Sequence, residues 1–63
     1  MTHHELIDYL DRVISGVKTD IEFVKQHTNK NSVHLSWGIA HMQVTALDYI
    51  RDIERYKKYL LEE

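Results

Sequence analysis

The residues with chemistry to offer gather around one short turn. Lys25, His27, Thr28, Lys30, Ser32 and His34 fall within ten positions, and Trp37 follows one helical turn further on. Two ammonium groups, two hydroxyls and two imidazoles would surround the start of a helix. The unpaired N–H groups there, at residues 32–34, and the helix dipole both favour an anion. The Trp37 indole offers a flat face on which a base could stack. Together they form a candidate ligand-binding site for a nucleotide-type anion. No Arg lies in the turn, so a phosphate contact would be electrostatic rather than bidentate. The plainer reading is a solvated turn beside a core tryptophan.

Other chemistries find less support. His34 and His41 are seven residues apart, which puts them on one helix face but about 10 Å apart along the axis, too far to share a metal. None of the five His residues has another at i,i+4, and there is no Cys. Asp48 continues the same line, and only copies meeting across an oligomer would bring such residues to one ion. The expectation is a polar strip and no metal. A nucleophile elbow, a Gly-rich phosphate loop and the E-x-x-H of a di-iron bundle are all missing. The chain is therefore expected to be no enzyme and to carry no cofactor.

The elements that must position these residues are two helices. Thr2-His3-His4-Glu5 has the S/T-x-x-E spacing of a capping box. Ile7, Leu10, Ile14, Val17, Ile21 and Val24 then recur at 3-4-3-4-3, a heptad seam widened by Leu6 and Val13. Gly16 falls mid-helix, where it costs about 1 kcal/mol against Ala; the periodicity does not slip there, which predicts a soft spot rather than a break. Asn29, Asn31 and Ser32 are turn and cap formers. A second helix follows with the seam Leu35, Ile39, Met42, Ala46, Tyr49, Ile53, Tyr56 and Leu60. The spacing predicts a helix over 3–27, a loop over 28–32 and a helix over 33–61, as a single helical-hairpin domain spanning 1–63.

One stretch does not fit a lone hairpin. Ser32 to Leu47, SVHLSWGIAHMQVTAL, is sixteen residues without Asp, Glu, Lys or Arg in a chain that is 29% charged. Its second stripe, Val33, Trp37, Ala40, Val44 and Leu47, faces roughly 150° away from the seam, so one partner helix cannot cover both. A helix apolar nearly all round belongs inside a larger bundle. The fold class expected is all-α: an antiparallel two-helix hairpin assembling into a homo-oligomeric helical bundle. Val33, Trp37, Ala40, Val44 and Leu47 are the candidate oligomer interface, and the number of copies is left open at two or more.

Size and composition point the same way. Sixty-three residues bury only about 60% of their unfolded surface, a marginal core, and with no Cys to form disulfides self-association is the default support. A net charge of −2 disfavours a nucleic-acid polymer or an anionic membrane as partner. The uncharged stretch is shorter than the roughly 20 apolar residues of a membrane span. The N-terminus lacks a signal pattern, so a cytoplasmic protein is expected.

With its small polar cap followed by small and apolar residues, SVHLSWGIAHMQVTALDYIRDI resembles the second helix of the helical-hairpin sponge proteins of phages, and the resemblance runs from Glu5 to Ile53. Those proteins bind cyclic oligonucleotide signals of CBASS-type immunity as homo-oligomers. The family's basic start of that helix is replaced here by Val33 and His34. The resemblance implies an anti-defence protein that sequesters a cyclic or linear nucleotide between subunits. The alternative expectation is a regulator or inhibitor that docks its apolar stripe on a host protein.

Overall fold

The computed structural model describes residues 1–29 and 31–63. Two helices, α1 (His3–His27) and α2 (Val33–Glu62), form an antiparallel hairpin. Each begins on a side-chain cap. The Glu5 amide donates to Thr2 Oγ1 at 3.2 Å, while the Thr2 amide donates to Glu5 Oε1 at 3.4 Å, which completes the capping box. The Leu35 amide donates to Ser32 Oγ at 3.4 Å and opens α2. α1 runs unbroken through Gly16, where an added Cβ would meet no atom within 4 Å.

The result is a rod of 48 × 16 × 11 Å. Its radius of gyration is 14.8 Å, against about 11 Å for a compact domain of this length. Two helices side by side enclose only a line of contact, and the buried side chains among the described residues are Ile14, Ile39, Ile53 and Leu60. None of them is completely enclosed.

That line differs from the periodic seam read in the sequence. Ile39, Ala46, Ile53 and Leu60 do face α1, but the positions completing the stripe are Gln43, Ile50 and Lys57, all half-buried. Leu35, Met42, Tyr49 and Tyr56 stay between 37% and 51% exposed. Packed helices lie about 8–10 Å apart, and two Tyr rings would prop that gap open. Outside it their phenols remain in water, the preferred place for an aromatic with a polar tip. Lys57 suits the inner position because its stem covers apolar surface while its head reaches out. The ammonium donates to Asp11 of α1 and lies 3.5 Å from Glu54 Oε2. The hydrogen bond to Asp11 holds Lys57 above the ordinary lysine pKa against the opposing effect of desolvation. Glu54 thus pairs with Lys57 three residues on.

No helix of the structure, among the described residues, is long and apolar enough to cross a membrane.

Candidate functional site

Around the turn, hydroxyls and imidazoles are used locally. Thr28 Oγ1 donates to the Val24 carbonyl at 2.6 Å, and His27 Nδ1 lies 2.9 Å from the Phe23 carbonyl. A carbonyl only accepts, so His27 carries a proton on Nδ1. The Thr28 bond satisfies one of the four carbonyls that a helix end leaves without partners, whereas Phe23 lies just before them. The His27 ring also stacks on Phe23, with centroids 4.2 Å apart. The Asn31 amide donates to Asn29 Oδ1 at 3.0 Å, closing the turn on itself. Lys30 lies outside the described residues.

The rest of the ligand set does not converge within one chain. Lys25 follows Ile21 by one turn on the side of α1 turned towards α2, and is half-buried. Trp37 is two residues from Ile39, so it points roughly 160° away from α1. His34 sits edge-on to the indole at a centroid distance of 5.8 Å. A charge from Lys25 and the ring face of Trp37 thus lie on opposite sides of α2. Among the described residues no group of three His, Cys, Asp or Glu side chains gathers to hold a metal ion.

Two faces of the hairpin are open instead. The outer back of α2 carries the second stripe: Val33, Trp37, Val44 and Leu47 are between 58% and 67% exposed, and Ala40 is exposed between them. The second face is not visible as such in the sequence, because hydropathy alone places its α2 half on the seam. In an antiparallel pair, residues at corresponding offsets on both helices meet on one broad side. Leu6, Val13 and Val24 of α1 therefore share a side with Leu35, Met42, Tyr49 and Tyr56 of α2. An open groove of about 380 Å³ on that side is lined by Ile21, His41, Met42, Thr45, Ala46 and Tyr49. The groove on the opposite side, about 440 Å³, is more polar at its rim, with Lys18, Glu22 and Gln43 beside Leu47 and Ile50. Among the described residues, neither groove is lined by a member of the turn cluster.

Sequence reasoning also missed the ties between the helix ends. His3 Nδ1 lies 3.2 Å from the Leu60 carbonyl, and Lys57 bridges to Asp11. The available signal was that Asp11 and Lys57 each follow a seam isoleucine, Ile7 and Ile53, by one turn.

No family model, no curated protein and no solved structure matches this chain. What the structure itself shows is a two-helix hairpin.

Proposed function

We propose that this chain is a non-enzymatic helical binding module that sequesters its target against the first half of α2. The observation that carries the reading is the open stripe of Val33, Trp37, Ala40, Val44 and Leu47 within a stretch free of charge. A surface without charges selects an equally uncharged counterpart, and the stripe has the width and period of a helix-docking seam. The target that fits is the apolar face of a helix on a partner protein, such as a host protein that the chain inhibits. Trp37 is the anchor, since large aromatics dominate interface energetics.

A nucleotide-type ligand is the second reading. It is favoured by the open indole face of Trp37 one turn inside the N-terminus of α2. Because Lys25 and Trp37 diverge within a chain, the binding site would have to be completed by a neighbouring copy. Lys30 would add charge from the same turn.

Native mass spectrometry of the protein purified from cells separates the two. On the first reading a protein is retained, is lost from the Val44→Asp, Leu47→Asp double variant, and survives Lys25→Gln, Lys30→Gln. On the second a cyclic or linear nucleotide is retained and lost with the lysines, and its affinity in calorimetry falls as salt rises. Wild-type protein carrying neither, and binding neither class afterwards, would overturn both.

A further inference from the structure

We infer that a second copy of this chain covers the broad side formed by Leu6, Val13 and Val24 with Leu35, Met42 and Tyr49, closing a four-helix bundle. The self-contact then differs from the Trp37 stripe, which the bundle leaves on its outside. This goes beyond the sequestering role, since it concerns what completes the fold.

Three observations select a copy of the chain as occupant. The broad side runs along both helices, whereas the Trp37 stripe belongs to half of one. A twofold axis presents to this plate a surface of identical length and chemistry, as isologous dimers require. The second observation is area. The hairpin exposes 5153 Å², while a compact monomer of 7.5 kDa exposes about 4250 Å². The excess, about 900 Å², is close to the roughly 800 Å² that each partner contributes to a standard interface. The third is the thin core: with Ile14, Ile39, Ile53 and Leu60 as its buried side chains, the hairpin needs its cover while folding, and another copy is always at hand.

The plate also has the composition of a bundle core. Leu35, Met42, Tyr49 and Tyr56, together with Ile39, Ala46, Ile53 and Leu60, form the heptad pattern that a lone hairpin uses only in part. A neighbour on this side would bury both halves of it, as in up-down bundles. Asp20 and Asp52 lie at the rims, where they stay in water. Tyr49 and Tyr56 reach the edge of such a core with their phenols outward.

Trp37 is the single tryptophan, so the wild-type chain reports on its own geometry. Sedimentation velocity should show a dimer at micromolar concentration. Trp37 emission should remain that of a water-exposed indole, with iodide quenching unchanged as dilution dissociates the dimer. The Met42→Glu, Tyr49→Glu double variant should weaken association by about 30-fold or more, as expected for lost interface anchors. The Val44→Glu, Leu47→Glu variant should dimerise like wild type. Should the plate variant fail to fold, the wild-type quenching series and the stripe variant still decide. A stable monomer, or an oligomer in which Trp37 is shielded from iodide, would overturn the inference.

Discussion

The two ends of the rod are built differently. Where the termini meet, Ile14, Ile53 and Leu60 are buried, His3 reaches the Leu60 carbonyl, and Lys57 binds Asp11 across the helices. Towards the turn, Ile39 is the buried residue, while Val24, Leu35 and Trp37 are open. The charged half of α2 thus carries its own cross-ties, and the uncharged half carries open apolar surface. Absence of charge along this helix therefore marks the half that leaves more apolar surface open. It does not mark the part that is best packed.

The largest test of this contrast compares two buried isoleucines. Ile→Ala in a packed site costs about 2–5 kcal/mol. Ile53→Ala should fall within that range and loosen the whole hairpin. Ile39→Ala should cost less and speed amide hydrogen exchange mainly between Val24 and Leu47. Equal losses with uniform exchange would mean that the two ends are one cooperative unit. A smaller effect is expected at Gly16, where there is room for a methyl group. Gly16→Ala should stabilise by about 1 kcal/mol in thermal or denaturant unfolding, through helix propensity alone. A loss instead would reveal a close neighbour on the back of α1.

The smallest effect concerns Lys57. Lys57→Gln should lower the melting temperature modestly while leaving the turn half's exchange unchanged. Its pH dependence has a definite sign. The folded pKa is raised, so the contribution is complete below the ordinary lysine pKa and disappears as pH rises through the higher folded value. A melting curve whose difference between wild type and Lys57→Gln vanishes near neutral pH would contradict that ion pair.

Most of the architecture could be read from the sequence because it is local. Thr2 with Glu5, and Ser32 before Val33, announce both helix starts, and Asn29 with Asn31 announces the turn. The rotation of α2 could not be read in this way. Met42, Tyr49 and Tyr56 flank the Ile39–Ala46–Ile53–Leu60 line on one side, and Gln43, Ile50 and Lys57 flank it on the other. Hydropathy alone picks the first set. The chain packs the second because one narrow gap favours slender side chains and a lysine with a partner. The turn cluster was legible as residue types, but hydrogen bonds only a few residues long commit Thr28 and His27 to ending α1, which no spacing rule reveals.

The turn has one more consequence. Among the described residues no φ is positive, and Thr28 and Ser32 are both extended. The described positions of the connection therefore set no demand for glycine, and they are held by side chains: His27 and Thr28 at the end of α1, Asn29 within the turn and Ser32 at the start of α2. Lengthening a flexible loop is mild, about 0.6 kcal/mol per doubling. The turn should thus tolerate added residues, so long as the two helix ends stay capped. The same freedom makes it the place to splice in a foreign peptide or label without disturbing the rod.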